Sequence, residues 1–215
     1  YTQFTVETVF VIVVASVLLA LKRQQRAGCL DEPLWRPGAF VLAAGFGVVV
    51  TALLLVEVEQ EGAASLVAVT VLADDAVDYV LTGSWGKKAA GEAAKQCNLN
   101  VVADASDRNF TYIPDEASWK RSDNAAYLHI TSNETIAGVE FHAEPEGDVP
   151  LVADMSSTIL SRPIDVSRYG VIYAGAQKNI GPAGITLVIV RNDLLEPARE
   201  NLPHLMMWKS YAESD

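Results

Sequence analysis

Tyr173-Ala-Gly-Ala-Gln-Lys-Asn-Ile-Gly-Pro-Ala-Gly184 decides the fold, because it follows an apolar, strand-like run (residues 170–174) with a lone lysine, Lys178, set among small residues. A lysine so placed is suited to be a Schiff-base nucleophile. Its amine attacks an aldehyde only after losing a proton, which requires a pocket that depresses its pKa. Small neighbours let a flat aromatic cofactor lie against the backbone. Taken alone, Ala-Gln-Lys-Asn reads more simply as a solvated turn.

The upstream sequence changes that reading. Asp154 ends the apolar run 149–153 and is followed by Met155-Ser-Ser157, so a carboxylate closes one strand just as the lysine closes the next. In open α/β sheets ligands bind outside the carboxyl ends of the strands, and pyridoxal phosphate chemistry needs an acid for the pyridinium nitrogen and a lysine for the aldehyde. The rest of the pattern agrees with an α/β sheet. Short apolar runs at 76–81, 100–103, 127–131, 139–142, 151–153, 171–173 and 185–190 read as strands, an alanine-rich run at 86–96 reads as a helix, and residues 193–195 begin a further helix.

Several longer motifs now fall into one order: Asp78-Tyr-Val-Leu-Thr-Gly-Ser-Trp-Gly-Lys-Lys88, Asn109-Phe-Thr-Tyr-Ile-Pro114, Thr131-Ser-Asn-Glu-Thr-Ile136, Val152-Ala-Asp-Met-Ser-Ser157, Ile159-Leu-Ser-Arg-Pro-Ile-Asp-Val166 and the lysine segment itself. On these motifs residues 62–215 resemble the phosphoserine aminotransferases, fold-type-I pyridoxal phosphate enzymes of serine biosynthesis. The resemblance implies an incomplete large domain, a mixed sheet flanked by helices. It implies that Lys178 joins the pyridoxal 5'-phosphate, Asp154 pairs with its ring nitrogen, Trp85 stacks on the ring, Thr135 bonds the phenolic oxygen side and Gln177 reaches the phosphate. Without the motifs, Trp85 and Thr135 read as core packing and a turn. The family's phosphate cup has its nearest match in Gly62-Ala-Ala-Ser65, which makes Ala64 and Ser65 further phosphate candidates, although Ala63 stands where the family has a glycine. A homodimer, phosphoserine and 2-oxoglutarate as substrates, and a cytoplasmic location are implied in the same way. Nothing resembling the family's substrate-binding arginine segments is present, so this chain is expected to be inactive as a fragment.

The first sixty residues read differently. Residues 4–21, interrupted by Glu7, and residues 39–56 are apolar runs of membrane-spanning length, and the link between them carries Lys22, Arg23, Arg26 and Arg36 against Asp31 and Glu32. Two transmembrane helices with a cytoplasmic link are expected; a hairpin of buried soluble helices is the alternative. Thr2-Gln-Phe-Thr-Val-Glu-Thr8 and the helix behind it resemble the large subunit of multisubunit cation/proton antiporters, so residues 1–56 form a two-span membrane segment in this reading. Glu7 then belongs to an ion path or to the membrane interface. The alternative function is a piece of such a subunit carrying an unrelated soluble remnant, and the abrupt change of character suggests a fragment or a joined reading frame.

Composition excludes some classes. The formal net charge is −11, which opposes nucleic-acid binding. Cys29 and Cys97 form no disulfide or metal pattern, and His129, His142 and His204 lack ligand spacing.

Overall fold

The structure is a computed structural model that describes residues 9–12, 63–64, 67–68, 74–196 and 202–213. Its frame is one seven-stranded mixed sheet. The strands are β1 (Val9–Ile12), β2 (Ala76–Leu81), β3 (Asn98–Asp104), β4 (Ala125–Thr131), β7 (Leu151–Asp154), β8 (Val171–Gly175) and β9 (Thr186–Val190), and a small hairpin joins β5 (Asn133–Glu134) to β6 (Val139–Glu140). The spatial order is β1-β9-β8-β7-β4-β2-β3. β3, β2, β4, β7 and β8 run parallel, while β9 is antiparallel to both β8 and β1.

Parallel strands covered on both sides must be apolar on both sides, and the inner strands β2, β4, β7 and β8 are largely so, while β3 at the edge is mostly exposed or half-buried. One face presents Val77, Tyr79 and Leu81 from β2, Tyr127 from β4, Val152 from β7 and Tyr173 from β8. The alternate residues Val80, Leu128, Ile130, Ala153 and Ile172 build a second core on the other face. Full burial of each such Val, Leu or Ile contributes about 1.5–3 kcal/mol.

Helix α1 (Ser84–Ala93) lies on the first face through Ala89, Ala90 and Ala93, whose small side chains allow close approach to the sheet. Helix α2 (Ala176–Asn179) continues directly from β8, and α3 (Trp208–Ala212) buries Trp208 in the first core. Ala63, Ala64, Val67 and Ala68 are helical and pack into that same core.

The expected membrane spans need correction where residues are described. Val9–Ile12, inside the first run, is an edge strand paired with β9 from Val9 opposite Ile189 to Ile12 opposite Thr186. A spanning helix would close its hydrogen bonds within itself, and these four residues instead close them with the sheet. Among the described residues no helix is long and apolar enough to cross a membrane. The rest of the first run, the basic link and the second run lie outside the described residues. Two smaller expectations also shift: α1 begins two residues earlier than residue 86, and residues 192–194 form a single 3₁₀ turn.

Candidate active site

The carboxyl ends of β4, β7 and β8 lie level, with Asp154 paired to Thr131 on one side and to Tyr173 on the other. Four segments converge there: the loop from β2 into α1, the β5–β6 hairpin, the turn after β7, and α2. Topology alone therefore brings Trp85, Glu134, Thr135, Asp154 and Lys178 to one end of the sheet.

Lys178 stands at its centre. Its Nζ donates to Thr135 Oγ1 at 2.8 Å and lies 4.3 Å from the centroid of the Trp85 ring. Burial pulls this amine below the ordinary lysine range, while the negative charge of Asp154 and then that of Glu134 oppose the shift. A partly desolvated lysine is the species needed for attack on an aldehyde at neutral pH.

Asp154 is 4% exposed, and its Oδ1 accepts from the Ser156 backbone N–H at 2.9 Å and from Ser156 Oγ at 2.6 Å. The Ser156 oxygen in turn accepts from the Gly175 N–H at 3.0 Å. This tie links the end of β7 to the end of β8, so the carboxylate and the start of the lysine helix hold each other in place. Sequence reading did not single out Ser156, although it lies inside the quoted Asp-Met-Ser-Ser motif.

Glu134 was missed in the same way. Its side chain is fully buried, and its two oxygens accept from the N–H groups of Trp85 at 3.0 Å and Gly86 at 2.7 Å. Burial raises its pKa, and these two backbone donors counteract the rise. α1 has no cap from its own flanking residue Gly83, so a carboxylate from a distant hairpin fills that role. Gly83 makes this possible, because a Cβ there would stand 2.3 Å from Glu134 Cδ.

Of the remaining candidates, Gln177 packs over Gly175, and both atoms of its amide are buried without a hydrogen bond. The methyl of Ala64 lies in the first core at 1% exposure, so a phosphate contact there would use its backbone N–H. Ser65 lies outside the described residues.

Other buried polar atoms at this end also lack a hydrogen bond, namely Thr82 Oγ1, Trp85 Nε1 and Thr131 Oγ1. Buried polar groups are nearly always paired, and each exception asks for a reason. A flat polar ligand carrying an aldehyde, a ring nitrogen and a phosphate fits this set of donors and acceptors.

Residues 61–210 match the family model for aminotransferase class-V. The chain belongs to that family. A phosphoserine aminotransferase of Hahella chejuensis is 58% identical over 139 residues, which are 64% of this chain and 38% of that protein. Among solved structures, the phosphoserine aminotransferase of Bacillus circulans subsp. alkalophilus superposes with a TM-score of 0.64 at 44% identity, covering 70% of this chain and 43% of that one. The pyridoxal phosphate-bound phosphoserine aminotransferase of Trichomonas vaginalis gives 0.66 at 38% identity, covering 71% and 47%. This class-V aminotransferase chain thus spans about two fifths of the length of the curated relatives it matches.

Proposed function

We propose that residues 62–215 are the cofactor-bearing part of a pyridoxal phosphate-dependent phosphoserine aminotransferase, which moves an amino group between phosphoserine and 2-oxoglutarate in the cytoplasm. The observation behind this is the placement of the partly desolvated Lys178 amine against Trp85 and Thr135, at the same end of the sheet as buried Asp154. When bound, pyridoxal phosphate supplies an aldehyde for amine exchange and a ring that withdraws electrons.

The chain's own residues then divide the work. Lys178 would hold the cofactor at its aldehyde carbon, the aldehyde oxygen leaving as water, and its amine would carry the proton of the substrate carbon. Asp154, kept in orientation by Ser156, pairs with the ring nitrogen and keeps it protonated. Trp85 covers one ring face, an aromatic contact worth about 1 kcal/mol beyond its buried area. Thr135 releases Lys178 and takes the phenolic side of the ring. Gln177 turns its unpaired amide to the phosphate, with the residue 62–65 segment as a further phosphate contact. A homodimer of the full-length protein would complete the site.

Borohydride reduction after addition of pyridoxal phosphate, followed by peptide mapping, tests this reading. The label is expected on Lys178. Label spread over Lys87, Lys88 and Lys95 with none concentrated at Lys178 would overturn it. Substrate identity is a separate measurement, made on a protein that also carries the family's substrate-binding arginine segments: phosphoserine should release the bound cofactor's absorbance band as the amine form accumulates, and serine without its phosphate should not.

A further inference from the structure

Glu134 has two properties that do not belong to an ordinary helix cap. Its carboxylate is fully buried, and among the described residues it forms no ion pair. Burying a carboxylate with only backbone donors is costly when an apolar or amide side chain could occupy the same volume. Gly83 and Gly86 both make room for it, since a Cβ would meet the Glu134 side chain at 2.3 Å and at 3.3 Å respectively.

Position supplies the reason. Glu134 O accepts from the Gly138 N–H at 2.7 Å, which closes the hairpin turn, and the next residue along is Thr135, which takes the Lys178 amine. Two consecutive residues of one hairpin therefore hold the two sides of the site: Glu134 grips the backbone of Trp85, and Thr135 grips Lys178. The indole ring and the amine face each other across 4.3 Å. A shift of the start of α1 would move the ring and not the lysine.

We propose that Glu134 is a positioning residue of this site, whose ionised carboxylate fixes the first turn of α1 so that Trp85 keeps its place against Lys178 and against the ring of a bound cofactor. This rests on the cofactor reading above for its last part only. The charged groups facing Glu134 are Lys178 from α2 and Asp154 from β7, and the N–H groups of α1 complete its surroundings. Replacing it by glutamine keeps its volume but sets an amide N–H₂ against one of the two backbone donors and removes a negative charge from the neighbourhood of Lys178.

The test uses the full chain without cofactor. Glu134→Gln should move the ¹⁵N–¹H indole resonance of Trp85, assigned with Trp85→Phe, and should lower the pH midpoint at which an amine-acylating reagent labels Lys178. Gly83→Ala should move the indole resonance in the same way, because its methyl displaces the carboxylate from the other side. Asp78→Asn, which disturbs a buried carboxylate in the first half of β2, away from this hairpin, should move neither reading. With pyridoxal phosphate added, Glu134→Gln should weaken binding by about tenfold, the effect of one lost hydrogen bond to a charged group. An unmoved indole resonance and labelling midpoint in Glu134→Gln would overturn the proposal. So would loss of the folded core in both Glu134→Gln and Gly83→Ala, which would make Glu134 a folding residue alone. If pyridoxal phosphate fails to attach to Lys178 in the unaltered chain, the cofactor reading falls, while the two cofactor-free measurements still decide the role of Glu134.

Discussion

Asp78, in the first half of β2, and Asp154, at the end of β7, are both buried carboxylates of one sheet, yet their surroundings differ. Asp78 accepts from Asn100 Nδ2 at 2.8 Å, from the Ser122 N–H at 2.9 Å and from Ser122 Oγ at 2.7 Å, and the same Asn100 amide donates to the Lys120 carbonyl. These partners tie β2, β3 and the approach to β4 into a closed knot. Asp154 holds Ser156, but Thr82, Trp85, Thr131 and Gln177 at its end of the sheet keep buried polar atoms without hydrogen bonds. Each such atom costs on the order of 1–3 kcal/mol relative to a paired one. One end of the sheet is arranged for folding. The other leaves polar atoms that a bound ligand or ordered water would pair, and the desolvated lysine stands at that end.

The sharpest way to break this contrast is Lys178→Ala. It should abolish the borohydride-fixed pyridoxal label, a complete loss, with little change in the denaturant midpoint, since the side chain is only half-buried. An equal label in the variant would mean that this end of the sheet is not the cofactor site. Next in size, Asp78→Ala should lower unfolding stability by about 3 kcal/mol, because it leaves the Ser122 N–H and the Asn100 amide without their acceptor. Lys178 labelling at equal folded fraction should stay as it was. Asp154→Ala should do the reverse, weakening pyridoxal phosphate binding by tenfold or more, as expected for loss of a partly buried ion pair worth about 2 kcal/mol or more. If Asp78→Ala weakens the cofactor as much as Asp154→Ala does, the two ends are not distinct.

Much of the positioning was legible beforehand, for identifiable reasons. Its short apolar run gave β2 its bounds Ala76–Leu81 in full, and the ends of β7 and β8 could be read from the apolar runs that stop at Asp154 and just before Lys178. Hydropathy misled at residues 9–12, because an apolar run long enough for a membrane is also apolar enough for a sheet edge, and length does not separate the two. Val9–Ile12 took the second course. Ala64 rests on motif similarity alone, since alanine carries no side-chain group that marks a ligand and its methyl packs in the core. Glu134 was hidden for a different reason. Its partners are backbone N–H groups 48 and 49 residues away, and no spacing rule in a sequence announces a donor that every residue possesses.

Between the two ends lies an aromatic seam, and its titration gives the smallest and most local prediction. His129 stacks on Tyr79 with ring centroids 4.5 Å apart and planes 13° from parallel, Tyr79 and Tyr127 share a hydrogen bond at 2.9 Å, and His129 Nε2 pairs with the Tyr173 hydroxyl at 2.9 Å. Its Nδ1 has no partner. Among the described residues the rings that meet the imidazole are tyrosines from β2 and β8, and burial lowers its pKa to about 3. The unfolded chain binds this proton near pH 6.5 and the folded chain does not. Stability is therefore complete above about pH 6.5 and falls as the pH drops toward 3, by about 1.4 kcal/mol for each unit from this one group. His129→Phe keeps the stacking area and removes the titration, so the difference in unfolding free energy between the two proteins should narrow by that slope as the pH is lowered from 6.5 to 5. Carboxylates elsewhere titrate equally in both and cancel. A difference that stays constant over that range would mean that His129 takes up a proton in the folded state, and that the seam is open to water rather than a dry partition between the end that folds the sheet and the end that holds Lys178.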